Sequence, residues 1–442
     1  MIKISYFFLF YILISFLFGC SLDTKSGIWE NKKKVAEIKN VKKIFKKISF
    51  TKDSFKKEFN TKLSIVLNEK PKLNNNWKME GLNFSNSTEH LIFNGKIQNQ
   101  TKLKFKKIKN RRTLKNNLII EKDSIFAIDS KGSIIKFSKN GKIIWKKNIY
   151  NRKEKRKIKN FSLAVSNNNI YVFDSLGKYY ALNLKDGRIV WSKKHRNPFN
   201  SQVKILNNKI IIVDGDNKAI CISQIDGKKI WEAETQKPFI KTKKKLSLVL
   251  YDDFVIFSNT LGDINKVDLN TGKIIWFMPT QNTLIPNTTN FLEISDLVYA
   301  DNNIIFSNNF SEIYSIDSQT GILNWKKNIK STLRPIVIDS MIFTISQDGF
   351  LMVLNMEGEI LRSNYLLKKF KSREIKKLRI EGFLIGSNNI YVTTNLGHIL
   401  VCSVNNGKVE SIKKVGHSRL SEPYIVNNKL YVSKGNSVII LD

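Results

Sequence analysis

After residue 76 the hydrophobic positions come in short runs punctuated by Asn, Asp and Gly, and a unit with a strand opened by Asn or Asp returns along the rest of the chain. One unit reads Asn169-Ile-Tyr-Val-Phe-Asp174, then Leu176-Gly177, then Tyr179-Tyr-Ala-Leu-Asn183, then Lys185-Asp186-Gly187-Arg-Ile-Val-Trp191. Runs this short, rich in β-branched and aromatic residues, predict strands, and the Asp-Gly and Thr-Gly pairs between them predict tight hairpins. The frame recurs over 123–145, 209–231, 253–276 and 303–325, and in weaker form from Met341 to Gly358 and from Asn389 to Gly407.

The period decides the architecture. Trp145, Trp191, Trp231, Trp276 and Trp325 are separated by 46, 40, 45 and 49 residues, the length one propeller blade of four strands requires. Each Trp is expected on an outer strand, with its ring over a neighbouring blade. The last copy, Lys429-Leu-Tyr-Val-Ser433 and Ser437-Val-Ile-Ile-Leu441, supplies only two strands before the chain stops. A segment after Asn76-Trp77, including His90-Leu-Ile-Phe93 and Leu103-Lys-Phe105, is expected to complete it and remove the exposed edges. The expectation is an all-β, eight-bladed β-propeller of four-stranded antiparallel blades, closed by N-terminal and C-terminal strands.

The first residues have a different pattern. Met1-Ile-Lys3 is followed by an apolar run from Tyr6 to Phe18 and then Gly19-Cys20, which is signal-peptide length and too short for a convincing spanning helix. Leu17-Phe18-Gly19-Cys20 resembles a bacterial lipobox, which implies lipidation of Cys20 and removal of residues 1–19. Ser21 stands where an Asp would imply retention on the inner membrane, so the resemblance favours the periplasmic face of the outer membrane. Residues 20–76 then read as the lipidated cysteine and a Lys-rich tether or lead-in, and 77–442 as the propeller.

Composition changes this picture little. The formal charge of +38 suggests an anionic partner, but lysine supplies most of the 75 basic residues and Asn and Ile are also abundant, a compositional bias that does not require nucleic-acid binding. Of the three cysteines, Cys221 and Cys402 fall inside strand patterns as small buried residues. His90, His195, His398 and His417 are scattered without ligand spacing, and neither a nucleophile elbow nor a Gly-rich phosphate loop occurs. No cofactor and no catalytic residue is assigned.

The turn-Gly-x-x-x-Trp unit, as in Thr271-Gly272-Lys-Ile-Ile-Trp276, resembles the repeat of the pyrroloquinoline-quinone propellers. Within that superfamily the lipobox, Asn76-Trp77 and the repeats together are similar to the BamB family. The resemblance implies a non-catalytic periplasmic lipoprotein of the outer-membrane β-barrel assembly machinery that docks on BamA and assists insertion of outer-membrane proteins. It carries the docking loop to Pro238, Ile240, Thr242 and Lys243, and an acidic contact to Glu293, with Ser295 in place of a second acid and Asp296 one residue on. Thr242 replaces an apolar residue, and Lys243 replaces an Arg and loses its bidentate geometry. Two alternatives remain open: a quinoprotein dehydrogenase, which would need a carboxylate base and oxygen ligands for Ca²⁺, and a lipid-anchored propeller for another envelope ligand.

Overall fold

The computed structural model describes residues 54–442 except 105–117, 130, 159, 239–243, 281–291, 311 and 436. Cys20 and the signal segment therefore lie outside the described residues. Eight antiparallel sheets follow one another. Blade 1 consists of Ile119–Glu121, Ser124–Ile128, Ile134–Ser138 and Ile143–Lys147, with Asn76–Trp77 added on the inner edge. Blades 2 to 5 begin at the inner strands Phe161–Ser166, Lys204–Leu206, Leu248–Tyr251 and Val298–Ala300, and blades 6 and 7 at Ile336–Ile338 and Ile380–Gly386.

Blade 8 consists of Tyr424–Val426, Lys429–Lys434 and Ser437–Leu441, and its outer strand is Gln100–Lys104 from the other end of the chain. Leu103 pairs with Val438 in that strand. The ring therefore closes with mixed N- and C-terminal strands, as the incomplete last repeat predicts. His90–Phe93 does not belong to the closing blade. Leu91 instead forms parallel bridges to Lys72 and Gly386, and the Phe93 ring meets Tyr391 edge-on at 4.9 Å, so this apolar run is buried against blade 7. Phe105 lies outside the described residues.

The Trp period becomes a lock between blades. Trp145, Trp191, Trp231, Trp276 and Trp325 each donate their indole N–H to a backbone carbonyl of the next blade, at Leu184, Gln224, Leu269, Gln319 and Met356. Their rings lie over Gly187, Gly227, Gly272, Gly321 and Gly358 of that blade, where any Cβ would collide with the indole. Arg362 takes the same position in blade 6, four residues after Gly358. It is fully buried and donates to the carbonyls of Leu63, Val404 and Asn405.

The seven outer hairpins share a second feature. Ile189 pairs with Leu182 and Trp191 with Ala181, so Val190 is an extra residue, and the same shift recurs in blades 1 to 7. Such a bulge turns two consecutive residues outward. This explains why Ile143-Ile144, Ile189-Val190 and Ile274-Ile275 are exposed while the following Trp turns to the neighbouring blade.

Candidate functional site at the interblade-loop face

Alternation of strand direction places the loops that join one blade to the next on the same face as each blade's second turn. Inner strands of blades 1 to 5, and of blades 7, 8 and 1, touch their neighbours around a central channel. On the opposite face, residues 74–91 run across the channel and meet the inner strands of successive blades. The Lys78, Phe84 and Ser85 carbonyls accept from the N–H groups of Val165, Leu250 and Tyr299, and the Leu91 carbonyl accepts from Ser387. Lys204 fastens this segment to blade 3: its fully buried ammonium donates to the Glu80 and Asn83 carbonyls and to Asn86 Oδ1 at 2.5, 2.6 and 2.6 Å. Burial pushes the Lys204 ammonium down to about 7.

What remains of the channel is a cavity of about 190 Å³ toward the interblade loops, with Glu80 and Gly81 contributing to its lining. Its walls alternate charges with apolar groups. Lys245 pairs with Glu80 at 2.6 Å and also donates to the Phe161 carbonyl, and Arg419 pairs with Glu381 at 2.5 Å. Burial raises the Glu80 carboxyl above its ordinary range, and the Lys245 charge opposes that rise. Arg334 approaches Glu422 only to 3.8 Å.

The residues expected to dock a partner fall on two neighbouring interblade loops. Pro238 is half-buried in the loop between blades 3 and 4, while Ile240, Thr242 and Lys243 lie outside the described residues. Both ends of that loop are held. Asn217, in the second turn of blade 3, donates to the Gln236 carbonyl and accepts from the N–H of Thr260, and Thr235 Oγ1 donates to the Asn217 carbonyl. At the other end, Lys244 Nζ donates to the Thr332 carbonyl across the mouth of the channel, and Asn200 Nδ2 donates to the Lys244 carbonyl.

Glu293 is exposed in the loop between blades 4 and 5. Its backbone is pinned by two hydrogen bonds with Asn309, its N–H donating to Asn309 Oδ1 and its carbonyl accepting from Asn309 N–H. Ser295 is buried, with its hydroxyl donating to the Asp296 carbonyl and accepting from Ser307 N–H, so it is a structural residue of the loop. Asp296 lines the cavity. Pro238 and Glu293 thus share a face on adjacent loops.

Several aspartates elsewhere serve turns. Asp129, Asp174 and Asp214 each accept from the backbone N–H groups two and four residues on, and Asp268 and Asp317 accept from the Thr271 and Thr320 N–H and hydroxyl groups before their turn glycines. Cys221 and Cys402 are buried in different blades, and burial raises both thiols to about 12. Among the described residues no three His, Cys, Asp or Glu side chains converge to hold a metal. Two of the cavity carboxylates, Glu80 and Glu381, are ion-paired with Lys245 and Arg419 and so do not fit the free oxygen-ligand set that a quinone and calcium pair would need.

The sequence does not single out Glu80, Lys204, Lys245 or Arg334. The four come together only when the ring closes. Arg362 was legible in principle, because it stands at the Trp position after Gly358.

Comparison with known proteins agrees with this architecture. The crystal structure of BamB from Moraxella catarrhalis aligns with a TM-score of 0.61 and 18% identity over 77% of this chain and 99% of that one. A europium-containing methanol dehydrogenase aligns at 0.62 and 12% identity, covering 81% and 89%, and the quinohemoprotein alcohol dehydrogenase from Comamonas testosteroni at 0.62 and 11%, covering 83% and 80%. At such identities these likenesses establish the fold and leave the activity open. No curated protein matches the sequence. The family model described as outer membrane protein assembly factor BamB matches residues 94–364, from just before the closing strand to the outer strand of blade 6. With more than half of its length matched in this way, the chain belongs to the BamB family of outer membrane protein assembly factors.

Proposed function

We propose that this protein is a non-catalytic scaffold lipoprotein, anchored through Cys20 to the periplasmic face of the outer membrane after loss of residues 1–19. It docks on the periplasmic part of a BamA-type barrel protein and assists assembly of outer-membrane proteins. Residues 20–76 connect anchor and propeller, and 77–442 form the docking body. The shared face of Pro238 and Glu293 carries this reading: both lie on adjacent interblade loops, where hydrogen bonds hold the nearby Gln236 and Glu293 backbones. Anchored positions beside the mouth of a channel give a partner a fixed place to begin docking, which lowers the cost of binding. Family membership supports the assembly role, and acyl chains on Cys20 would supply lasting attachment.

The docking surface is tested by replacing Ile240 and Lys243 together with Glu and measuring affinity for the purified periplasmic domains of the co-occurring BamA-type protein. A loss of about tenfold or more at unchanged unfolding midpoint is expected, since interface anchors commonly cost more than 1.4 kcal/mol when removed. Unchanged affinity would remove these positions from the interface.

A further inference from the structure

The cavity at the centre of the interblade-loop face contains a buried cation with an unanswered donor. Arg334 lines it, is 8% exposed, and has no hydrogen-bond partner at Nη1 among the described residues. Its nearest carboxylate, Glu422, stands 3.8 Å from Nη2, beyond hydrogen-bonding distance. A buried guanidinium keeps its charge and its five N–H donors, and an unanswered donor there is costly. Phe161, Leu333, Phe383 and Leu420 contribute to the same lining, interleaved with the charged residues.

We propose that this cavity is a binding site for a single carboxylate on a compact apolar body, with one carboxylate oxygen accepting from Arg334 Nη1. The chemistry of the walls selects this class. A planar carboxylate matches a guanidinium edge, and the apolar side chains cover the rest of the ligand. Glu80, Asp296, Glu381 and Glu422 line the same cavity, so a dianion such as phosphate meets more repulsion than a monoanion. The volume of about 190 Å³ suits a small acid or the terminal residue of a polypeptide.

The test is calorimetric titration of the full chain in detergent with benzoate, with its neutral counterpart benzamide, and with Gly-Gly-Leu bearing a free or an amidated carboxyl group. Benzoate is expected to bind at least about tenfold more tightly than benzamide, and Arg334→Gln to remove that preference, since a hydrogen bond to a charged group carries about that factor. Arg334→Lys, which keeps the charge and loses the planar fork, is expected to fall between. Tighter binding of the free-carboxyl tripeptide than of benzoate, abolished by amidation, assigns the site to a chain terminus, and the reverse order assigns it to a free small acid. Equal affinity for benzoate and benzamide, or no heat from any carboxylate up to about 10 mM, overturns the proposal. Because the wild-type comparison alone decides it, a variant that fails to fold does not rescue the idea.

Discussion

The Trp–Gly contact is the residue-scale unit from which this ring is built. At Gly272 two constraints coincide: φ is +75°, and a Cβ would lie 2.6 Å from the Trp231 ring, which is itself held by its bond to Leu269. Gly435 has φ of +53° and open space around its missing Cβ. Gly272→Ala should therefore cost about 2–4 kcal/mol, from left-handed strain plus overpacking, and Gly435→Ala only about 1 kcal/mol. Urea unfolding midpoints separate the two, and equal shifts would mean that the indole moves aside freely. In sequence, each glycine is legible as a turn residue, yet its second role is not, because the ring above it comes from the preceding blade.

Lys204 makes a pH prediction at the same scale. Its folded-state ammonium titrates near 7 against about 10.5 in the unfolded chain. Between those values the unfolded chain holds the extra proton, so stability rises with pH across that window and is flat below it, with a slope of up to about 1.4 kcal/mol per pH unit. Subtracting the unfolding free energy of Lys204→Met at each pH isolates this contribution from other titrating groups. A difference that stays constant from pH 6.5 to 9.5 would show that the ammonium is not depressed.

At the scale of elements, closure depends on one strand from the far end of the chain. Leu103 is buried in that strand and its side chain reaches Gly141 of blade 1, whereas Lys102 beside it is exposed. Leu103→Asp should destabilise the protein by about 3 kcal/mol or more, because a charge is buried without a partner, and Lys102→Asp should stay within about 0.5 kcal/mol. Equal effects on thermal unfolding would contradict the role of Gln100–Lys104 as the ring's closing strand. The need for such a strand was readable from the two-stranded last repeat. Which apolar run supplies it was only half readable: Leu103 and His90–Phe93 have similar patterns, and only the tertiary position of His90–Phe93 against blade 7 separates them. The outer-strand bulges were hidden for a related reason, since paired isoleucines before a Trp look like a fully buried strand.

For the whole molecule, some of the positive charge is spent on the ring itself. Lys136 and Lys266, on the third strands of blades 1 and 4, donate to the Leu184 and Ser318 carbonyls of the next blades and lie over the Phe126 and Phe254 rings. These lysines tie blades together, as Lys204 ties the segment that crosses the channel. The repeat alone does not reveal which loops share a face. The expected docking positions come from family resemblance, and the common face of Pro238 and Glu293 is visible only in the folded ring, where the blade 3–4 and blade 4–5 loops are neighbours.

Partnership is tested most directly by purifying the native protein from detergent-solubilised membranes and identifying what accompanies it. Stoichiometric recovery of a BamA-type barrel protein is expected, reduced when Ile240 and Lys243 are both replaced by Glu. Reproducible absence of that barrel protein, with a different envelope protein enriched in its place, would contradict the assembly role while leaving the eight-bladed ring intact.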